Sequence, residues 1–251
     1  AIATATGRGI AVIYQFYLLF RSKTRVKLSA NNLKIHLNII RKLLKLSTGS
    51  IGQSLIATSS WIVMVRIIAE FGSQVLAGYT IAIRIIIFAM LPSWGLSNAA
   101  STLVGQNLGA NKPKRAENAV WATGVANLII MGLVSLMFII SPEFFMRLFI
   151  DDPEVIKKGS VCLKIISYGF LAYGMGMVII QAFNGAGDTF TPAKINFVAF
   201  WIIEIPLAYV LAKIAGLEEN GVYLAILIAE SMMVLIGLFI FRKGKWKLRE
   251  V

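Results

Sequence analysis

Long apolar runs dominate this chain, and they decide which solvent it can fold in. One, from Ile51 to Ala69, is broken only by small polar residues and Arg66; others cover Val75 to Val104, Ala119 to Ile140, Val161 to Phe183, Ile195 to Ala215 and Val222 to Phe241. A helix rises about 1.5 Å per residue, so roughly 20 residues cross the ~30 Å of bilayer hydrocarbon, and each run is long enough. A seventh run, Ala1 to Phe20, opens the chain and reads as the end of a helix that begins upstream. Backbone polar groups in lipid must be satisfied within the segment, which makes each run a helix. The expectation is therefore all-α: a polytopic membrane helix bundle of six complete transmembrane helices plus the end of a preceding one.

The connectors between these runs alternate in charge. Arg21, Lys23, Arg25, Lys27, Lys34, Arg41, Lys42 and Lys45 crowd the first; Lys112, Lys114 and Arg115 sit in the third, Lys194 in the fifth, and Arg242, Lys243, Lys245, Lys247 and Arg249 in the tail. The intervening connectors hold Glu70, then Glu143, Asp151, Asp152 and Glu154, then Glu218 and Glu219, with scattered Arg147, Lys157, Lys158 and Lys213 as the weaker basic counterpart. Lys and Arg near helix ends accumulate on the cytoplasmic side, whereas acidic residues carry little topological weight. The basic connectors and the C-terminus are expected in the cytoplasm, and the multi-pass chain in the plasma membrane.

Four segments follow: residues 1–20 as the end of a sixth helix, 21–48 as a basic connector, 49–242 as a six-helix lobe, and 243–251 as a basic tail. Within the connector, Leu33, Leu37, Ile40 and Leu44 recur at three- and four-residue steps, which predicts an amphipathic helix over Asn32–Leu46 on the inner membrane surface. A net charge of +13 would suggest nucleic acid in a soluble chain. Here the cations flank apolar spans, so anionic lipid headgroups of the inner leaflet are the expected partner, and no nucleic acid. Cys162, the sole cysteine, lies in an apolar run and reads as a buried inert thiol.

Soluble-enzyme chemistry lacks its parts. The single histidine, His36, lies in the connector, which leaves no His-based triad, no metal-spaced His or Cys cluster and no phosphate-binding Gly-rich loop. No enzyme activity, metal or cofactor is expected. Charges inside the spans are the sharper candidates, because each costs about 2.5–3.5 kcal/mol at a helix centre. Glu204 and Glu230 fall at similar depth in the last hairpin, where two close carboxylates could share a proton and exchange it for a cation; helix-packing acids are the plainer alternative. Arg84 reads as a counter-ion to one of them. Gln53, Ser54, Thr58, Ser59 and Ser60 form a small-residue face on one span, for packing or for lining a cavity. Pro92 and Pro206 are expected to bend their helices, while Met90, Met175, Met177, Tyr173, Phe200 and Trp201 offer an adaptable apolar wall, with lipid-facing filler the plainer alternative for most of them.

Two segments carry a family resemblance. Leu91-Pro-Ser-Trp-Gly-Leu-Ser-Asn-Ala-Ala-Ser-Thr-Leu-Val-Gly-Gln-Asn-Leu-Gly-Ala110, containing Gly105, Gln106 and Gly109, resembles a helix end and loop of the multidrug and toxic compound extrusion (MATE) transporters. Gln181-Ala-Phe-Asn-Gly-Ala-Gly-Asp-Thr-Phe-Thr-Pro192, containing Gly185, Gly187, Asp188 and Pro192, is similar to a second hallmark. The resemblance implies the C-terminal lobe of a twelve-helix transporter whose missing N-terminal lobe completes a central cavity. It also implies secondary active antiport: export of a cationic or amphiphilic small molecule against protons or sodium ions. Some members hold acidic cation ligands in the seventh and tenth helices, but the nearest positions here, around Ala57 and Tyr173, carry no carboxylate. Others couple through an acid in the first helix, outside this chain. Flipping a lipid-linked amphiphile is the alternative cargo; an intramembrane enzyme and a non-transporting scaffold are remoter readings.

Overall fold

The computed structural model describes residues 2–20 and 36–248, which fall into two compact units, Ala1–Lys45 and Leu46–Val251. The first contains α1 (Ile2–Phe20). Most of the basic connector, including Asn32 to Ile35 at the start of the expected surface helix, lies outside the described residues. What is described of that helix begins at Leu37 and belongs to α2 (Leu37–Ala69), so no separate surface helix is seen among the described residues.

The remaining helices are α3 (Ser73–Ala89), α4 (Leu91–Gly109), α5 (Pro113–Ile140), α6 (Pro142–Arg147), α7 (Pro153–Ser167), α8 (Phe170–Gly185), α9 (Phe190–Asn196), α10 (Ile205–Tyr209) and α11 (Glu218–Arg242). Two π-helical segments, Phe197–Glu204 and Val210–Ile214, flank α10 and join it with α9 into one apolar span, Phe190–Ile214. That span, α2, α5 and α11 are long and apolar enough to cross a membrane. Two bent pairs, α3 with α4 at 46° and α7 with α8 at 57°, bring the number to six if each pair is one span. The helical, polytopic bundle expected from the apolar runs is the fold observed.

Four of the six prolines, Pro92, Pro113, Pro142 and Pro153, stand at the first or second position of a helix that starts there, where a missing N–H costs nothing. Pro92 marks the first bend, as expected. Pro206 does not break its span: the wide π turns on either side absorb the lost hydrogen bond, and the helix continues. The second bend, at Tyr168–Gly169, has no proline. There Ser135 Oγ donates to Ser167 O at 2.6 Å, occupying a carbonyl that an unbroken helix would bond four residues on. At the start of α7, Asp152 accepts from the backbone N–H of Glu154 and Val155 at 2.9 and 3.2 Å, a side-chain cap reinforced by Pro153.

Two apolar cores stack along the bundle. One gathers Tyr79, Met131, Phe138, Met146, Leu163 and Tyr223; the other gathers Val104, Val120, Ile179, Phe183, Phe241 and Trp246. Between them lies Asn127 of α5, 0% exposed, whose Nδ2 donates to Ser93 Oγ on α4 at 2.8 Å and to Gly174 O on α8 at 2.7 Å. Each partner sits just past the bend in its span, so one amide ties both bends to the same helix.

The ends of the bundle are tied differently. At one, Glu70 pairs with Lys213 at 2.6 Å and Glu219 pairs with Lys158. At the other, a short 3-10 helix (Lys245–Leu248) folds back through Gly244, which takes φ 71°, a left-handed turn that glycine adopts without strain. Trp246 stacks on Phe241 with centroids 4.8 Å apart, and Lys247 Nζ donates to Glu117 Oε2 at 2.6 Å. The Lys213 hydrogen bond and charge hold the Glu70 carboxyl below the usual Glu range. A depressed acid stabilises the fold above its unfolded pKa and loses that contribution as pH falls through its folded value. Glu70→Gln is therefore expected to melt slightly below the parent protein at neutral pH and to converge with it at acid pH, past the ordinary value of 4.5. Thermal melts of both proteins across pH check this, and the effect is small because the pair is solvent-exposed.

Candidate functional site

A cavity of about 450 Å³ opens among α2, α3, α8, the π segment before Pro206 and α11. The helix phases explain its walls. Tyr79, Ile83, Ile86, Ile87 and Met90 recur at helical steps on α3, Ser60, Trp61 and Met64 come from α2, and Phe170 and Tyr173 from α8. Glu204 ends the π segment, whose extra residue per turn rotates the face it presents. Glu230 projects from the middle of α11.

Among the described residues, these two acids are the only ionisable groups in the lining besides tyrosine; no Lys, Arg or His shares the cavity. Glu204 is 8% exposed and its Oε2 accepts from Ser60 Oγ at 3.2 Å. Glu230 Oε2 is buried and has no hydrogen-bond partner among the described residues. No hydrogen bond joins the two carboxylates among the described residues, although both line the same cavity. Tyr79 is backed by Tyr223, ring centroids 6.3 Å apart and nearly parallel, which fixes that wall. Such a chamber has apolar, aromatic sides and a negative pole, and it suits a cation.

The residues singled out from sequence divide into three groups. Glu204, Glu230 and Tyr173 come together in the cavity with Ala57. Arg84 does not: it is exposed on α3 and forms no ion pair with either acid, because it lies one residue, about 100° of helix, from the cavity-lining Ile83. The counter-ion reading is corrected accordingly. Thr58 is also exposed and outside the cavity, while Ser54 and Ser59 bond carbonyls of their own helix. Gln53 works elsewhere, donating to Asn184 Oδ1 at 3.1 Å and Thr189 O at 2.9 Å; Asn184 continues to Gln181, and Gln181 to Asn98, an amide chain across α2, α8 and α4.

The two motif segments meet each other and not the cavity. Gly185, at the end of α8, lies directly on the Ser101 backbone of α4, and a Cβ added at Gly105 would stand 3.2 Å from Gly185 O. Gln106 and Gly109 close α4, with Gln106 O accepting from Ala110 N at 3.1 Å. Gly187 takes φ 73°, Asp188 accepts from Thr191 N and Oγ1 at 3.2 and 2.8 Å, and Pro192 is buried in the first turn of α9. The Tyr79 wall and the Asn127 bridge are not among the residues the sequence pattern points to. An amide at mid-span was the available signal.

Fold and cavity together define a multi-pass helical membrane protein with an acidic chamber between its spans. A model of the MatE family matches residues 50–210, and the chain belongs to that family. It is similar to "Probable multidrug resistance protein NorM" of Thermotoga maritima, with 22% identity over 100% of this chain and 54% of the relative. It is also similar to "Multidrug export protein MepA" of Staphylococcus haemolyticus, with 24% identity over 96% of this chain and 52% of the relative. Among solved structures, the outward-facing conformation of a multidrug resistance MATE family transporter matches 99% of this chain and 56% of its own, with TM-score 0.90 and 17% identity. The chain thus spans about half the length of the relatives it matches, as one lobe does.

Proposed function

We propose that this chain is the C-terminal half of a secondary exporter that moves cationic or amphiphilic compounds by alternating access, in exchange for protons or sodium ions. The observation that carries the reading is the chamber holding Glu204 and Glu230 without any basic side chain. Two carboxylates removed from water without a base are tolerable only with a proton or cation between them. The volume falls within the roughly 300–1,000 Å³ of small-molecule sites. Coupling then follows from competition: the driving ion and the positive charge of the cargo need the same carboxylates, so loading one releases the other.

Where other members carry acids on their seventh and tenth helices, this chain has Ala57 and Tyr173, and both line the same chamber as Glu204 and Glu230. The negative charge comes from the last two spans instead. The Lys and Arg bias supports a cytoplasmic C-terminus and cytoplasmic basic connectors in this reading, against the anionic inner leaflet of the plasma membrane. The N-terminal lobe is the required partner.

Proteoliposomes of the full-length protein loaded with a fluorescent cationic dye test this. Dye movement is expected to follow an imposed proton or sodium gradient and to stop when that gradient collapses. Movement indifferent to both gradients, or cargo confined to lipid-linked sugars, would overturn the reading.

A further inference from the structure

Between the acidic chamber and the end of the bundle that carries Lys158 and Glu219, two buried hydroxyls stand without hydrogen-bond partners among the described residues. One belongs to Tyr223 of α11, which is 0% exposed, and the other to Ser160 of α7. An unpaired buried hydroxyl costs roughly 1–3 kcal/mol, and phenylalanine would fill the place of Tyr223 without that cost. The register of α11 sets the phenol on a line. Glu219, Tyr223, Ile226, Leu227 and Glu230 recur at three- and four-residue steps and so share one face, whose last three members line the chamber. Tyr223 also lies flat against Tyr79, a chamber wall, with ring planes 3° apart.

At the outer end of that face, Glu219 is buried and held by Lys158 of α7, which is itself partly exposed to solvent. The neighbouring charges stand apart from the line: Lys213 pairs with Glu70, and Glu154, Lys157 and Glu218 are exposed. Within the core, Cys162 of α7 and Tyr79 of α3 are the titratable groups packed in the same cluster as Tyr223. Resting on the reading of this chain as half of an ion-coupled exporter, we propose that Tyr223 relays protons between Glu219 and the chamber carboxylates. Bridging water completes the chain, because α11 rises about 6 Å from Glu219 to Tyr223 and about 10 Å from Tyr223 to Glu230, farther than one hydrogen bond spans. Glu219 takes a proton from solvent, forming an O–H bond on its carboxylate, and passes it to the first water. That water protonates the Tyr223 oxygen as the phenol O–H gives its own proton inward, and the last O–H bond forms on Glu204 or Glu230. Each hydroxyl gains one proton and loses one, and no electron is transferred.

The test uses the full-length protein in proteoliposomes with a trapped pH-sensitive fluorophore, an imposed proton gradient and a fluorescent cationic dye as cargo. Y223F keeps the ring and its stacking on Tyr79 and removes only the hydroxyl. It is expected to slow cargo-coupled proton movement at least about tenfold and to lower the maximal rate of export by the same factor, at an unchanged half-saturating dye concentration. Its melting temperature is expected to be no lower than that of the parent, since the lost hydroxyl had no partner among the described residues. E219Q, whose side chain stays beside partly exposed Lys158, is expected to slow proton movement as well. Full-rate proton movement in folded Y223F, or in E219Q if Y223F does not fold, would overturn the relay while a proton-driven parent leaves the exporter reading intact. A parent driven by sodium alone would also overturn the relay, and a parent indifferent to both gradients would overturn the exporter reading with it.

Discussion

Glu230→Gln in the full-length transporter is expected to abolish gradient-driven export, with the rate falling by at least about tenfold, or roughly 1.4 kcal/mol in the barrier of the coupled cycle. Glutamine keeps the size and hydrogen-bonding shape of the side chain but cannot release a proton or neutralise a cation. Glu230 is expected to be the more sensitive of the two acids because its Oε2 has no hydrogen-bond partner among the described residues. Glu204→Gln is expected to reduce export less, since Ser60 can donate to the amide oxygen as it does to the carboxylate. If protons drive transport, the Glu230 variant also loses the pH dependence of efflux measured in proteoliposomes. Full coupled transport by the double glutamine variant would move the coupling acid to the N-terminal lobe and leave this chamber a structural one.

Gly185→Val is expected to cost the lobe about 3 kcal/mol or more, the upper range of overpacking, and to lower the yield of folded protein sharply. The side chain would enter space held by the Ser101 carbonyl and Cα of α4, which are backbone atoms and cannot rotate away. Gly237→Ala in α11 serves as the contrast: its Cβ would meet Ile179 Cγ2 at 3.5 Å, an ordinary contact, and alanine favours a helix interior by roughly 1 kcal/mol. Melting of detergent-purified protein, followed by size-exclusion chromatography, separates the two. Equal stability of Gly185→Val and the parent would show that α4 and α8 do not approach as described.

The bundle was legible because the length of an apolar run is a direct physical requirement of crossing lipid, and because proline and glycine punctuate the connectors. The acidic pair was legible for a related reason: charge at mid-span is costly enough to stand out from its neighbours. What was not legible depended on helix phase and tertiary contact. Arg84 and Ile83 are adjacent in sequence yet face different surroundings, and only the packing of α3 says which one meets the cavity. The bend at Tyr168–Gly169 arises from a hydroxyl on another helix, Ser135, so no local breaker announces it. The small-residue face of α2 divided for the same reason, with Ser60 reaching Glu204 while Ser54 and Ser59 returned to their own backbone. The fold-back at Gly244, which returns the basic tail to the bundle, likewise depended on the contact of Trp246 with Phe241.

Asn127 gives the bundle a waist. Because its amide bonds one residue beyond each bend, α4 and α8 below that level share a common anchor and are pressed together at Ser101 and Gly185, while α3 and α7 above it meet through their own interface at Gly78 and Gly159. The two bent spans are therefore tied: Pro92 and the Ser135–Ser167 bond mark the bends, and one amide joins the segments beyond them. Met90, Gly169, Phe170 and Tyr173, at those same bends, line the acidic chamber, so its walls are built on the two segments that Asn127 ties together.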